Sequence, residues 1–342
     1  MRKAPDFWWR KGWSWQAFLL LLPSFLYGRV SGGRMLQKPR GGADIPVICI
    51  GNFVLGGVGK TPFALRLAER LTVEGYNPGF LLRGYGGREK GPLVVDLDVH
   101  DAEAVGDEAL LLASKLPTVV SADRLNGAKC AEGEGIDLLI MDDGFQNPAL
   151  EKDLSMALVD ASTGLGNGHC IPAGPLRAPM GVQMVKTDVL VRVGDGDAED
   201  EVVHMAARKA LPMFHARFRA SVQDELRDRP LFAFAGIGRP AKFFDTLRQE
   251  GLDVAKTQSF ADHHEFTESE AESLLKTAEA EDLQLVTTAK DMVRLQAARH
   301  EIFRWLVART QVLNVAMEID DEDRLVGIIR ENVRSRVFKQ GA

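Results

Sequence analysis

One short segment constrains the fold of this chain more than any other, because it joins an apolar run to a glycine-rich loop and then to a helix. The run Val47–Ile50 leads through Gly51 to a segment that ends in Gly-Gly-Val-Gly-Lys-Thr-Pro at residues 56–62. Glycines let a backbone approach an anion without an intervening Cβ, and the first turn of a helix presents unpaired N–H groups. The order of strand, loop and helix therefore predicts a phosphate-binding loop.

The side chains at the end of this loop have the chemistry that a nucleotide site needs. We expect Lys60 to reach the β- and γ-phosphates of ATP and the Thr61 hydroxyl to bind Mg²⁺. The common form of the loop has a glycine at position 54, where this chain has Val54. The predicted ATP-binding residues are Gly56, Gly57, Val58, Gly59, Lys60 and Thr61.

A second acidic motif follows another apolar run. Leu138–Met141 ends in Asp142 and Asp143, a pattern that places a carboxylate beside the metal ion of a phosphate loop. The pattern does not decide which of the two aspartates binds Mg²⁺ directly.

Two further motifs are candidates for the group that accepts a proton. Asp107 and Glu108 precede the apolar run Ala109–Leu112, where an aspartate is also a common helix cap. The tract Asp262-His263-His264 lies before a predicted helix that Thr267 caps, and a loop histidine is often a solvated surface residue. Transfer of phosphate to a hydroxyl needs a group that accepts or orients its proton.

The alternation of apolar runs and helical stretches predicts an α/β fold. Near-continuous apolar strands joined by helices are typical of a mainly parallel sheet with helices on both faces, as in P-loop NTPases. Ligands of such sheets bind at the carboxyl ends of the strands, where all these motifs lie. The predicted strands are Val47–Ile50, Phe80–Leu82, Thr118–Val120, Leu138–Met141, Met156–Val159 and Val189–Val193.

The pattern changes after about residue 195 and predicts a second, smaller α/β domain. Two extended stretches, around Phe214–Ala220 and Val312–Ile319, are expected to pair as a β-ribbon between the domains. The predicted division is a segment 1–40, a core 41–210, a ribbon strand 211–228 with its return strand at about 311–319, and a C-terminal domain 229–342.

The first forty residues differ in charge from the rest of the chain. They hold eight basic side chains and one acidic one, so they carry +7, while the whole chain carries −6. Four of the five tryptophans also lie there: Trp8, Trp9, Trp13 and Trp15. A basic, Trp-rich, apolar segment is typical of an interfacial membrane anchor. The uncharged run 12–27 is shorter than the ~20 residues of a spanning helix. A signal peptide, a true span and a buried soluble helix are the alternatives.

Taken together, these motifs resemble the tetraacyldisaccharide 4′-kinase family of lipid A biosynthesis, in order and over nearly the whole chain. The resemblance also rests on Arg83–Gly87, Asp142–Gln146, Pro172–Arg177, Ala235–Gly238 and Asp262-His263. Three positions depart from the family pattern, in which Asn147 is usually His, Ala178 is usually Glu and Ala289 is usually Glu.

The resemblance implies an enzyme that transfers the γ-phosphate of ATP, with Mg²⁺, to the 4′-hydroxyl of a tetraacylated glucosamine disaccharide 1-phosphate. It implies that Asp107 is the base in a dyad with His263, that Lys60 is catalytic, and that Asp142 and Asp143 serve the metal. Tyr85, Glu108, Gln146 and Arg177 would line the site. The expected location is the cytoplasmic face of the bacterial inner membrane, peripheral or monotopic, with no nucleic acid and no obligate protein partner.

Two other classes of P-loop protein fit the sequence less well. A membrane-positioning ATPase without small-molecule transfer would have a lysine at position 55, where this chain has Leu55. A guanine-nucleotide switch would have Asn-Lys-x-Asp, and the nearest tract is Thr288-Ala289-Lys290-Asp291. Three widely spaced cysteines indicate neither a disulfide framework nor a zinc site.

Overall fold

The structure of the chain is a computed structural model that describes residues 4–10, 12–238, 240–261, 264–298 and 300–340. Asp262 and His263, two residues of the predicted loop motif, lie outside the described residues. The remainder of that motif, His264, is described.

A large, mainly parallel sheet forms the centre of the molecule. Its strands are β1 (Val47–Asn52), β2 (Pro78–Leu82), β3 (Leu93–Val94), β4 (Thr118–Val120), β5 (Leu138–Asp142), β6 (Leu154–Asp160), β7 (Val189–Val193), β8 (Met213–Ser221) and β13 (Asn314–Ile319). Their order across the sheet is β13-β8-β7-β6-β1-β5-β2-β4-β3. Only β3 with β4 and β13 with β8 pair antiparallel among the described strands. All six predicted strands are found, with ends shifted by up to two residues.

Helices cover this sheet and bury its apolar side chains. They are α3 (Lys60–Val73), α4 (Ala102–Val105), α5 (Asp107–Ala113), α6 (Arg124–Gly133), α7 (Met180–Val185), α8 (Asp200–Arg208) and α13 (Glu322–Gln340). Strands β1 and β5 are buried along their whole length, as expected for a sheet with both faces covered. The long helix α13 was not predicted from the sequence.

The order of the central strands brings two motifs together. Strand β1 lies between β5 and β6 and pairs parallel with both, with Ile50 opposite Asp142. The loop after β1 and the acidic pair at the end of β5 therefore share one edge of the sheet. Gly51 is required here, because a Cβ on it would lie 2.2 Å from the Cβ of Phe145.

A second, four-stranded sheet contains the remaining strands. They are β9 (Leu231–Ala235), β10 (Val254–Ser259), β11 (Gln284–Thr287) and β12 (Thr310–Val312), in the order β10-β9-β11-β12, and all pairs are parallel. The helices around it are α9 (Pro240–Gln249), α10 (Glu268–Ala280), α11 (Ala289–Ala297) and α12 (Glu301–Arg309). A capping box of Thr267 and Glu270 begins α10, as the sequence predicted.

Strands β8 and β13 connect the two sheets as an antiparallel ribbon. Their register runs from Asn314 opposite Ser221 to Ile319 opposite Ala216. The ribbon lies against the glycine-rich loop, because a Cβ on Gly59 would come within 2.6 Å of the Phe218 ring and 3.1 Å of Met317. The domain boundaries proposed from the sequence stay predictions.

The N-terminal segment consists of a 3₁₀ turn (Asp6–Trp9) and two helices, α1 (Trp15–Leu19) and α2 (Leu21–Met35). No helix in the described part of the chain is long and apolar enough to cross a membrane.

The structure corrects two expectations. The sequence predicts Trp8 as one of four tryptophans of a membrane-interacting segment, but it is only 6% exposed, and its indole Nε1 donates to the carbonyl of Pro172. Asp107 was considered as a helix cap, but Gly106 precedes α5 and Asp107 is its first residue. The side chain of Asp107 is therefore available for contacts with other elements.

Candidate active site

The glycine-rich loop is held in shape from inside by Asn52, the last residue of β1. The side-chain amide of Asn52 donates to the carbonyl of Val54 at 2.7 Å and to that of Gly56 at 3.2 Å, and its Oδ1 lies 3.5 Å from Lys60 Nζ. Gly59 has φ +88°, a conformation that favours glycine. Asn52 was not among the predicted site residues, although its position directly before the glycine-rich loop is a signal in the sequence.

The segment Pro172–Arg177 contacts the same loop from outside. The N–H of Leu55 donates to the carbonyl of Pro175 at 2.8 Å, and Arg177 Nε donates to the carbonyl of Val54 at 3.1 Å. Arg177 therefore supports the loop and also reaches the acidic pair, where its Nη1 lies 2.7 Å from Asp143 Oδ1.

Thr61 and Asp142 meet at the start of α3. The Thr61 hydroxyl donates to Asp142 Oδ2 at 3.1 Å, and the buried Oδ1 of Asp142 has no hydrogen-bond partner among the described residues. Burial, followed by the negative charge of Glu108, raises the pKa of the Asp142 carboxyl to about 7. A hydroxyl beside an uncompensated buried carboxylate fits the oxygen ligands that Mg²⁺ prefers.

Asp143 has a different environment from Asp142. Its carboxylate accepts from Arg177 and lies 3.6 Å from Lys60 Nζ. Burial by itself raises the pKa of this carboxyl, but the charges of Lys60 and Arg177 outweigh burial and leave the pKa below its ordinary value. Asp143 is thus a stable anion that holds two cations near the phosphate loop, whereas Asp142 faces Thr61.

The first two residues of α5 form ion pairs with α11. Asp107 Oδ2 lies 2.7 Å from Arg294 Nε, and Glu108 Oε1 lies 2.8 Å from Lys290 Nζ. Burial tends to raise the pKa of Glu108, and the Lys290 charge reverses that effect, so the pKa is lowered. The second sheet therefore contributes two cations to the predicted base motif.

The remaining predicted residues lie at the same edge. Gln146 Nε2 donates to the carbonyl of Asn52 at 2.8 Å and to Gln183 Oε1 at 2.9 Å, so it braces the end of β1. The Tyr85 side chain is largely exposed, and its loop packs on Gly106, where a Cβ would lie 2.5 Å from the Tyr85 carbonyl oxygen.

One buried arginine and one histidine complete the description. Arg124 is buried at the start of α6, and burial lowers its pKa to about 10. The negative charges of Asp142 and Asp143 tend to raise the pKa and offset part of this effect. Arg124 was not among the predicted site residues, although its position shortly after the end of β4 is a signal in the sequence. His264 lies 2.9 Å from Glu270 Oε2 and stacks on the Phe260 ring.

A phosphate loop that runs from a parallel strand to a helix, with a hydroxyl at its end and a buried carboxylate from the neighbouring strand beside it, defines a P-loop protein of the phosphotransferase type. The family model described as Tetraacyldisaccharide-1-P 4'-kinase matches residues 16–334. The chain belongs to this family, and the family predicted from its motifs is confirmed.

Curated relatives and a solved structure agree with this assignment. A tetraacyldisaccharide 4'-kinase of Rhizobium leguminosarum bv. trifolii is 46% identical over 346 residues, with 99% of this chain and 96% of that protein covered. The one from Agrobacterium fabrum is 45% identical, with 99% and 98% covered. The crystal structure of LpxK from Aquifex aeolicus in complex with ATP superimposes with a TM-score of 0.72 at 26% identity, and 93% and 99% of the two chains are covered. The predicted fold class is confirmed.

Proposed function

We propose that this protein transfers the γ-phosphate of ATP to the 4′-hydroxyl of a tetraacylated glucosamine disaccharide 1-phosphate. The observation that carries the proposal is the placement of Lys60, Thr61, Asp142 and Asp107 at one sheet edge in a chain that matches the family over residues 16–334. The name shared by its relatives supplies the acceptor.

The phosphate loop supplies the binding site for ATP. The N–H groups at the start of α3 and the Lys60 ammonium would contact the β- and γ-phosphates. Asn52 and Arg177 keep the loop in this shape before ATP binds, so little reorganisation is needed at the moment of transfer. The residues 56–61 are our proposed ATP contacts.

Thr61 and Asp142 are the residues that would hold Mg²⁺. The ion would neutralise charge on the phosphate oxygens. Burial raises the pKa of the Asp142 carboxyl to about 7, and a cation bound beside it would favour the ionised carboxylate. Asp143 would not contact the ion but would hold Lys60 and Arg177 beside the phosphate loop.

Asp107 is our proposed base. The 4′-hydroxyl oxygen attacks the γ-phosphorus, the bond to the β,γ-bridging oxygen breaks, ADP leaves with that electron pair, and the hydroxyl proton passes to the Asp107 carboxylate. His263 would partner Asp107, as the family resemblance implies. Tyr85, Glu108 and Gln146 would line the space around the acceptor.

The N-terminal helices provide a surface for a lipid substrate. Helix α2 docks through small residues: the Ser24 hydroxyl donates to the Cys170 carbonyl at 2.7 Å, and a Cβ on Gly32 would lie 3.1 Å from Pro179. The N-terminal segment also exposes large apolar side chains on α1, on α2 and before them, which we call the apolar N-terminal face: Trp13, Trp15, Phe18, Leu19, Leu22, Phe25, Leu26 and Val30.

We infer that this face rests in the outer part of a membrane. The docked side of α2 contacts Cys170 and Pro179, which flank the segment that carries Arg177, so acyl chains held in the bilayer at this helix would lie near the site. Basic residues of the same segment, among them Arg29 and Arg34, favour an anionic lipid surface. Because the enzyme would need ATP, we propose that it works at the cytoplasmic face of the membrane.

One assay tests the proposed function. Purified protein is incubated with γ-³²P-ATP and the disaccharide 1-phosphate lipid, and label in the lipid is measured. Lys60→Ala should lower the rate about 10²–10³-fold, because it removes a charge that stabilises the transferred phosphoryl group. Lys256→Ala, a change at an exposed lysine of β10, is the matched control. No label in the lipid with the wild type, or full transfer by Lys60→Ala, would contradict the proposal.

A further inference from the structure

Helix α11 is one of the helices around the second sheet, but two of its side chains contact the first turn of α5, a helix that covers the first sheet. Lys290 and Arg294 are four residues apart and so lie on one face of the helix. Their partners, Glu108 and Asp107, are consecutive residues in the first turn of α5. Asp107 and Arg294 are 187 positions apart in the sequence, so this ion pair connects distant parts of the chain.

Arg294 is itself held by a set of buried acceptors. Its Nη1 donates to Asp291 Oδ1 at 2.8 Å and to the carbonyl of Gly236 at 2.8 Å, which leaves Nε directed at Asp107. The side chains of Arg294 and Asp107 are 7% and 10% exposed. A planar guanidinium that contacts three acceptors at once has a fixed orientation, which a lysine cannot reproduce.

Asp291 is fixed in turn. It is fully buried, and its Oδ2 accepts from the Thr288 hydroxyl at 2.7 Å and from the Gly236 N–H at 3.1 Å. A side chain on Gly236 would crowd this arrangement, because a Cβ there would lie 3.2 Å from Asp291 Oδ1. The chain of contacts runs from Thr288 through Asp291 and Arg294 to Asp107. It includes residues of two sequence motifs, Ala235–Gly238 and Thr288–Asp291, that have no role in the proposed mechanism.

We propose that Arg294 is a positioning residue of the phosphate transfer, which orients the Asp107 carboxylate toward the acceptor hydroxyl, and that Asp291 and Gly236 hold Arg294 for this purpose. The proposal rests on the proposed function, in which Asp107 accepts the proton. A base must lie within hydrogen-bond reach of the proton that it removes, and a misplacement of about 1 Å can cost about 100-fold in rate. Arg294 fixes that placement from the second sheet.

The test compares kcat at saturating ATP and lipid for Arg294→Ala, Arg294→Lys and Asp107→Asn. We expect Arg294→Ala to lower kcat about 10–100-fold with the KM for ATP within twofold of wild type. Added methylguanidinium should restore part of the rate of Arg294→Ala and leave wild type unchanged, because it can occupy the space beside Asp107 and Asp291. Arg248→Ala, an exposed arginine with a local partner, is the control and should keep the wild-type rate.

A double mutant separates positioning from a purely structural contact. In the Asp107→Asn background, Arg294→Ala should cause no further loss of kcat, since the carboxylate that it orients is gone. A full additional loss in that background, or a wild-type kcat in Arg294→Ala, would overturn the proposal. If Arg294→Ala does not fold, Arg294→Lys takes its place in the same cycle.

The controls distinguish this inference from the proposed function. Asp107→Asn at the wild-type rate would reject the assignment of the base itself. A strong loss in Asp107→Asn together with full activity in Arg294→Ala would reject only the positioning role. Failure of the wild type to label the lipid would reject the proposed function before either variant is compared.

Discussion

The Thr61 hydroxyl lies 3.1 Å from Asp142 Oδ2, which ties the first turn of the phosphate-loop helix to the end of the neighbouring strand. The contact leaves Oδ1 of Asp142 buried without a partner among the described residues, while Asp143 is paired with Arg177 and Lys60. The two consecutive aspartates therefore have different chemistry. This difference supports our proposal that Asp142, and not Asp143, would meet a cation beside Thr61, a choice that the sequence left open.

The first prediction concerns pH and the stability of the metal-free protein. Burial, then the Glu108 charge, raises the pKa of Asp142 from an ordinary value near 4 to about 7. The Asp143 charge adds to this rise, and the Lys60 charge and the Thr61 hydrogen bond oppose it. A raised pKa in the folded state means that the contribution of Asp142 to stability is present below pH 4 and is lost as the pH rises to 7. Asp142→Asn should therefore stabilise the protein in EDTA, and the gain should grow from pH 4 to pH 7 and then level off.

Urea unfolding at several pH values between 4.5 and 8 checks this. Asp98→Asn, which alters an exposed carboxylate of a loop, serves for comparison. A gain from Asp142→Asn that is constant across this range would contradict a raised pKa.

The second prediction concerns the dyad of Asp107 and His263. Loss of a general base typically costs about 10²–10⁴-fold, so Asp107→Ala and His263→Ala should each lower kcat strongly while ATP still binds. Because the two would act as a unit, the double mutant should be little slower than the slower single mutant. kcat is measured with saturating ATP and lipid, and multiplicative losses would argue against a dyad.

His264 is the matched control for His263. Its ring is engaged by Glu270 and stacked on Phe260, so His264→Ala should have a mild effect on kcat. A large loss at His264 with none at His263 would mean that the neighbouring histidine is the functional one.

The third prediction concerns the membrane surface. Changing Phe18, Leu22 and Phe25 together to serine removes apolar area from the exposed face while the docked Ser24 and Gly32 stay intact. Burial of one such side chain is worth about 1.5–3 kcal/mol, so binding to anionic phosphatidylglycerol vesicles should weaken about 100-fold or more. Binding of the wild type should also fall between 50 and 500 mM salt.

Sedimentation of the protein with vesicles measures both the vesicle affinity of the triple variant and the salt dependence of wild-type binding. Trp305→Ser, at an exposed tryptophan of α12, should bind as the wild type does. Equal vesicle binding by the triple variant would refute the role of this face, and truncation of residues 1–38 should release the protein even more completely.

The fourth prediction concerns the contact between β1 and the loop after β5. Gly51→Ala would place a Cβ 2.2 Å from the Cβ of Phe145, so it should destabilise the fold by about 1–3 kcal/mol. Gly33→Ala in α2 meets open space and should leave stability unchanged or slightly raised. Thermal melts of the two variants beside the wild type decide the point, and a stable Gly51→Ala would show that the loop can move away.

Much of the core could be predicted from the sequence, because its signals are local. An apolar strand followed by Gly-Gly-Val-Gly-Lys-Thr, and a second strand that ends in Asp-Asp, each specify a structure within about a dozen residues. Parallel strands place their carboxyl ends at one edge, so the meeting of Thr61 with the acidic pair followed from pattern alone.

The tertiary structure decided what depends on the packing of distant segments. Which aspartate faces Thr61, the burial of Trp8 under Pro172, and the ion pairs of Asp107 and Glu108 with α11 all join elements from far apart in the chain. No periodicity or spacing reports such contacts, since they follow from how the two sheets and the N-terminal helices are placed against each other. The sequence by itself determined the phosphate loop and the family, and the folded chain determined the partners of each charge.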